Sequence, residues 1–94
     1  MAKLSDEEVR AGLAELAGWE RHGDRIAKDY RRDGFAGAIA FVVRLSYAAE
    51  AANHHPDLDI RYDRVRVALS THSEGGITAK DLDLARTIER LAPD

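Results

Sequence analysis

The sequence has 94 residues, a formal net charge of −3 and no cysteine. This length predicts a single domain over residues 1–94. The absence of thiols excludes a disulfide framework and a thiolate metal site. The 14 basic residues are scattered among 17 acidic ones without a Lys/Arg run. This pattern argues against direct nucleic-acid binding, because a phosphate backbone requires a basic face.

The first predicted element is a helix over residues 5–17, ended by Gly18. Ser5 and Glu8 have the spacing of a capping box, in which each side chain bonds a free backbone N–H. This start, MAKLSDEEVR, is polar and lacks the apolar core of a signal peptide. The next stretch, WERHGDRIAKDYRR, predicts a β-hairpin with its turn at Gly23-Asp24.

A second helix is predicted over residues 34–53, with Asp33 as its cap. Its apolar residues spread around more than one face, which indicates burial against the sheet and against a partner subunit. Its apolar run includes Arg44 and is shorter than the roughly 20 residues that span a bilayer. We therefore expect a cytoplasmic protein that makes no membrane contact.

The last third of the chain predicts another hairpin and a helix. Leu58, Ile60 and Tyr62 should face the core, followed by a turn at Asp63-Arg64 and a fourth strand. Thr78 and Asp81 then open a helix that runs to Pro93. The order α-β-β-α-β-β-α predicts an α+β fold, with a four-stranded antiparallel sheet covered by three helices on one face.

Two adjacent histidines mark the end of the second helix, because Pro56 disfavours helical geometry at His55. Glu50 and His54 would be i, i+4 neighbours, so the carboxylate could hold one imidazole tautomer. His55 would point elsewhere. If His72 and Asp81 join them, three histidines and two carboxylates share one cleft. Such a group suits proton transfer at neutral pH.

Each of these residues has a simpler explanation. A histidine at a helix carboxyl end favours the helix dipole, and Asp81 resembles an ordinary capping carboxylate. Three histidines and a carboxylate could also bind zinc, although no HExxH or other dense ligand spacing is present. The residues alone leave an acid–base site, a metal site and a helix end open.

The spacing of these residues resembles the pterin-4a-carbinolamine dehydratase family. In the family pattern, three residues separate an acidic residue from His-His-Pro, and five more separate the proline from an aromatic residue. Nine residues then precede a His, and an Asp follows further along the chain. Here these are Glu50, His54-His55-Pro56, Tyr62, His72 and Asp81. A Trp after the first helix, Trp19, and the stretch LSTHSEGGIT extend the resemblance along the chain.

The resemblance implies a function and a set of roles. The expected reaction is dehydration of 4a-hydroxytetrahydrobiopterin to quinonoid dihydrobiopterin in tetrahydrobiopterin recycling, with no metal and no organic cofactor. His54, assisted by Glu50, and His72, supported by Asp81, would exchange protons, while His55 orients the pterin. The implied catalytic residues are Glu50, His54, His55 and His72; the implied substrate-binding residues are Trp19, Asn53, His54, His55, Ser70, Thr71, His72, Ser73 and Asp81.

The resemblance also implies partners. A homodimer or homotetramer is expected, formed by edge strands and the second helix, and an aromatic amino acid hydroxylase would be the coupled enzyme. Some relatives on this fold are non-catalytic dimerisation or assembly cofactors, which is the alternative function. Pure binders need not keep the histidines, and this chain has them all.

Overall fold

The computed structural model describes residues 2–92 and confirms the predicted fold class. Three helices and a four-stranded antiparallel sheet follow one another as α1 (Asp6–Leu13), β1 (Glu20–His22), β2 (Arg25–Arg31), α2 (Gly34–Ala52), β3 (Asp57–Arg61), β4 (Arg64–Leu69) and α3 (Ala79–Leu91). A short 3₁₀ turn, His72–Glu74, precedes α3. The predicted helix stop at Pro93 lies outside the described residues.

The sheet has the order β1-β2-β4-β3, with every neighbouring pair antiparallel. Ile26 pairs with Leu69 and Tyr30 pairs with Val65, so alternate residues of β2 and β4 share one apolar face. The intervening pairs, including Asp29 with Arg66, form the polar face. One face therefore builds the core, and the other carries the charged pairs, although Ala27 on that face is also buried.

Helix α2 lies across the core. Ala38, Phe41, Leu45 and Ala49 are its buried residues and recur at helical spacing. By length and composition α2 is apolar enough to cross a membrane, but core helices meet the same criterion, and three of its buried residues, Ala38, Phe41 and Leu45, join the hydrophobic cluster of the fold. A second apolar stripe, formed by Phe35, Ile39, Val43 and Tyr47, remains exposed.

Two local predictions were wrong, and a third was confirmed only in part. The first helix ends at Leu13 rather than residue 17, because Glu15 and Leu16 bond to carbonyls three residues back and tighten the chain into turns. Asp33 occupies the predicted cap position of α2, but its side chain makes no cap bond.

The second wrong prediction concerns the second hairpin. Arg61 pairs with Arg64, so its turn is Tyr62-Asp63 and not Asp63-Arg64. Tyr62 adopts a left-handed φ of 54° there. Its side chain is consequently 70% exposed instead of facing the core.

Candidate active site

The end of α2 separates the two adjacent histidines. Asn53 adopts a left-handed conformation with φ 49°, and the His54 N–H donates to the Ala49 carbonyl at 3.0 Å. A single left-handed residue closes many helices in this way, and Asn tolerates it well. Beyond this cap, the side chain of His54 is buried, whereas that of His55 is exposed.

His54 pairs with a carboxylate from a distant part of the chain. Its Nε2 lies 2.5 Å from Asp81 Oδ1, and Asp81 is fully buried. Asp81 is also the third residue of α3, where its Oδ2 accepts the Thr78 N–H at 2.9 Å in a capping box. One carboxylate therefore both starts a helix and holds an imidazole.

The hydroxyls around Asp81 have a defined direction. Thr71 Oγ1 donates to Asp81 Oδ2 at 2.9 Å and lies 2.8 Å from Thr78 Oγ1. Because a hydroxyl carries one proton, Thr78 must be the donor in the bond between the two threonines. Asp81 thus accepts from a hydroxyl and a backbone N–H on one oxygen, and a carboxylate there takes the Nε2–H of His54 on the other. The Nδ1 nitrogen of His54 makes no hydrogen bond to any residue in the range 2–92.

His55 forms the second histidine–carboxylate pair. Its Nε2 lies 2.6 Å from Glu50 Oε2, and both side chains are exposed. The expected pairing of Glu50 with His54 was wrong, because the left-handed Asn53 ends the helix before residue 54 and turns His54 toward Asp81. Glu50 meets the following histidine instead.

His72 opens the 3₁₀ turn, in a loop closed by paired bonds between Thr71 and Gly76 at 2.9 and 3.3 Å. Strand β4 ends at Leu69, so the alternation of the strand does not fix the direction of His72. The expected support of His72 by Asp81 was also wrong, since it is the neighbouring Thr71, and not His72, that bonds to Asp81. Within residues 2–92, the His72 ring has no hydrogen-bond partner, and it is exposed.

These elements enclose one polar concavity of about 250 Å³. All three histidines border it, together with most of the expected substrate-binding residues. Its lining consists of Asn53, His54, His55, Ser70, Thr71, His72, Ser73 and Lys80. Asp81 lies behind His54, and Glu50 borders the adjacent hollow that shares His55. Across residues 2–92, no three His, Asp or Glu side chains are grouped so as to hold a metal ion.

Trp19 is not part of this lining. It is 4% exposed, and its indole Nε1 donates to Glu89 Oε2 at 3.2 Å. The expectation that it lines the pocket was therefore wrong: Trp19 lies in the connection between α1 and β1, and its large apolar area favours burial in the core once the indole N–H has a polar partner.

Glu89 accepts two further donors in the same cluster. Lys28 Nζ lies 2.7 Å away and Tyr30 contributes its hydroxyl. Partial burial raises the pKa of Glu89, but the bonds from Lys28, Tyr30 and Trp19 outweigh it and hold the pKa below its ordinary value. Burial, followed by the neighbouring Glu89 carboxylate, raises the pKa of Tyr30.

Lys80 is the lining residue that sequence reasoning missed. It is the second residue of α3, next to Asp81. A cation in the first turn of a helix opposes the helix dipole, and this unfavourable placement beside a motif residue was the available signal.

An α+β fold with a histidine-lined concavity defines a candidate acid–base enzyme, and comparisons with known proteins agree with that class. The sequence model of the pterin 4 alpha carbinolamine dehydratase family matches residues 2–91. The chain belongs to this family.

Several relatives are similar along almost their whole length, and each is provisionally named a pterin-4-alpha-carbinolamine dehydratase. The protein of Roseiflexus castenholzii is 49% identical over 90 residues, covering 96% of this chain and 97% of its own. That of Nocardia farcinica is 51% identical over 89 residues, covering 95% and 94%.

Two solved structures share the fold. A transcriptional coactivator/pterin dehydratase from Brucella melitensis superposes with a TM-score of 0.93 at 32% identity, covering 97% of this chain and 99% of that one. A pterin dehydratase-like protein described as a RuBisCO assembly factor of the alpha-carboxysome gives a TM-score of 0.69 at 20% identity, covering 82% and 92%. The second likeness concerns the fold alone.

Proposed function

We propose that this protein dehydrates 4a-hydroxytetrahydropterins, with 4a-hydroxytetrahydrobiopterin as the expected physiological substrate. In this reaction the C4a–O bond breaks, the hydroxyl leaves as water after gaining a proton, and a ring N–H gives up its proton as a C=N bond forms. The observation that carries the proposal is the shared concavity, where three histidines meet and a buried carboxylate orients one of them.

His54 is the proposed base. Asp81 fixes the proton of the neutral ring on Nε2, so Nδ1 is free to accept a proton from the pterin ring. The carboxylate then stabilises the imidazolium that forms, as acidic residues do behind catalytic histidines. Proton transfer by a positioned histidine contributes about 10²–10⁴ in rate.

His72 is the proposed acid. It stands on a different element from His54 and keeps both ring nitrogens free of protein partners in the described part of the chain. Its exposure allows it to exchange protons with solvent after each turnover. Protonation of the 4a-hydroxyl by His72 would convert a poor leaving group into water.

The remaining lining residues would bind and orient the pterin. His55, paired with Glu50, and Asn53 offer polar groups at the end of α2. The Ser70 hydroxyl already donates to the Asp24 carbonyl at 2.6 Å, and that of Thr71 bonds Asp81. Residues 70–73 would therefore contribute mainly backbone groups to the substrate.

The decisive experiment follows the decay of enzymatically generated 4a-hydroxytetrahydropterin with and without the protein. We expect acceleration by the wild type and a loss of about 10²–10⁴ in His54→Ala and in His72→Ala. The control is His22→Ala, since this fourth histidine lies on β1 away from the concavity. Rates near wild type in both site variants would refute the assignment.

The alternative is a non-catalytic cofactor on the same fold. The solved relatives described as a coactivator and as an assembly factor are its basis. The intact network of His54, Asp81 and Thr71 favours catalysis, because a purely structural domain has no need of an oriented imidazole. A wild-type protein that leaves the decay rate unchanged would favour the binding role.

Self-association is proposed as well. The exposed stripe Phe35, Ile39, Val43 and Tyr47 recurs every four residues along α2 and contains no charge. Under a two-fold axis such a stripe can pack against its own copy, and β3 is a free sheet edge. We expect at least a dimer; a monomer mass by light scattering at micromolar concentration would contradict it. An aromatic amino acid hydroxylase as the coupled enzyme and a cytoplasmic location remain predictions.

A further inference from the structure

Lys80 occupies the junction of two concavities. It borders the histidine-lined concavity, and it also borders a hollow of about 360 Å³ between α2 and α3. Its side chain is exposed. A substituent that extends from the first concavity toward the second would therefore lie near Lys80.

The nearby carboxylates are already engaged. Asp81 bonds His54, Thr71 and the Thr78 N–H. Asp83, the next acidic residue on α3, bonds Arg86 at 2.7 Å. Among residues 2–92, no carboxylate lies within ion-pair distance of Lys80 Nζ.

The position of Lys80 in α3 is also unfavourable for its positive charge. As the second helical residue, it faces the positive end of the helix dipole, which costs about 0.3–1 kcal/mol for a cation. Among residues 2–92, the Lys80 side chain makes no hydrogen bond or ion pair that would offset that cost. A positive charge placed unfavourably and left unpaired at the edge of a ligand concavity is suited to an anion supplied from outside.

We infer that Lys80 is a specificity-determining residue that binds an anionic substituent of the pterin, a carboxylate or a phosphate. The inference rests on the proposed function for the ring site. The ammonium would contact the substituent rather than the ring, because departure of the hydroxyl develops positive charge on the ring and a cation there would oppose it. Pterins with an anionic side chain would then bind more tightly than pterins with a neutral one such as biopterin, while the ring site would dehydrate the 4a-hydroxytetrahydro forms of both.

Binding can be tested without catalysis. The probes are neutral 6-hydroxymethylpterin, its phosphate ester and 6-carboxypterin, each titrated into the protein while pterin fluorescence is followed. We expect at least one anionic pterin to bind about five- to tenfold more tightly than the neutral one, the range of a single charged hydrogen bond near the surface. The two anionic probes distinguish phosphate from carboxylate.

Three variants assign the effect. Lys80→Gln should abolish the preference, and Lys80→Arg should retain most of it. Arg64→Gln, which removes an exposed charge from β4 on the polar sheet face, is the matched control and should keep the preference. Added salt should reduce the preference in the wild type and in Lys80→Arg.

The outcomes separate the two proposals. Equal binding of neutral and anionic pterins by the wild type, or an equal loss of preference in Arg64→Gln, would overturn the role of Lys80 alone, provided that the neutral 4a-hydroxytetrahydropterin is still dehydrated. If no pterin binds and none is dehydrated, the proposed function fails and the role of Lys80 fails with it.

Discussion

His54 and His55 are neighbours in sequence, and each lies at nearly the same distance from a carboxylate, 2.5 and 2.6 Å. Their surroundings differ sharply. The side chains of His54 and Asp81 are 9% and 0% exposed, whereas those of His55 and Glu50 are 59% and 74% exposed. Distance alone therefore does not distinguish an organising contact from an incidental one.

Burial changes the consequence of the same contact. Exposed ion pairs contribute about 0–1 kcal/mol because water and salt screen them. Breaking a buried pair leaves a polar group without water or partner and costs about 3–5 kcal/mol. The pair of His54 and Asp81 can fix a ring orientation, whereas the pair of His55 and Glu50 remains adjustable by a ligand.

The largest effect is expected for Asp81→Asn. The amide cannot accept from all three donors, so it would disturb the His54 tautomer and the cap of α3 together. We expect a rate loss of about 10³–10⁴ and destabilisation of about 1–3 kcal/mol, measured by pterin decay and urea unfolding. Asp29→Asn, an exposed carboxylate paired with Arg66, is the control. A rate within tenfold of wild type would contradict the view that the buried contact with Asp81 orients His54 for catalysis.

Replacing each of the two histidines by alanine in turn tests directly whether the buried His54 and the exposed His55 have different roles. His54→Ala should lower kcat by about 10²–10⁴, because it removes the proposed base. His55→Ala should act mainly on KM, with a fall in kcat of about tenfold or less. Steady-state kinetics over a range of pterin concentrations measures both. The reverse ranking would place the base on His55.

Glu89 sharpens the comparison, because it also accepts three donors but contacts no histidine. Glu89→Gln should cost about 1–3 kcal/mol of stability without the large rate loss of Asp81→Asn. The folded-state pKa of Glu89 is lowered, so its contribution is present above the ordinary pKa of 4.5 and is lost as the pH falls through the folded value. Urea unfolding of the wild type and of Glu89→Gln from pH 7 to pH 3 should therefore show that the difference between their free energies of unfolding shrinks in acid. A constant difference would be inconsistent with this account.

The smallest effect is expected for Glu50→Gln. Its bond to His55 is exposed, so stability should change by about 0.5 kcal/mol or less, and the rate should fall by no more than about tenfold. Thermal unfolding and the decay assay measure the two quantities. A loss as large as that of Asp81→Asn would mean that the exposed pair becomes buried when substrate binds.

The sequence predicted what depends on local patterns. Both capping boxes, Ser5 with Glu8 and Thr78 with Asp81, follow from residues three apart and were confirmed. The α+β order followed from hydrophobic periodicity, and the three histidines of the motif do border one concavity.

The pairings inside the site could not be predicted. They depend on one left-handed residue, Asn53, and on a contact between residues 27 apart. Spacing alone favoured Glu50 as the partner of His54. Trp19 likewise had no local signal to separate a core position from a site position, since its partner Glu89 is 70 residues away.

The capping box of α3 and the proposed base share one carboxylate, because Asp81 both caps the helix and contacts His54. If the first turn of α3 frays, Thr78 and Asp81 separate and His54 loses the acceptor that sets its tautomer. Under the proposed mechanism, the fraction of molecules able to dehydrate the pterin would then equal the fraction with that turn closed. Hydrogen exchange of the backbone amides of residues 78–81 would thus measure, without any substrate, the fraction of molecules in which this turn is closed.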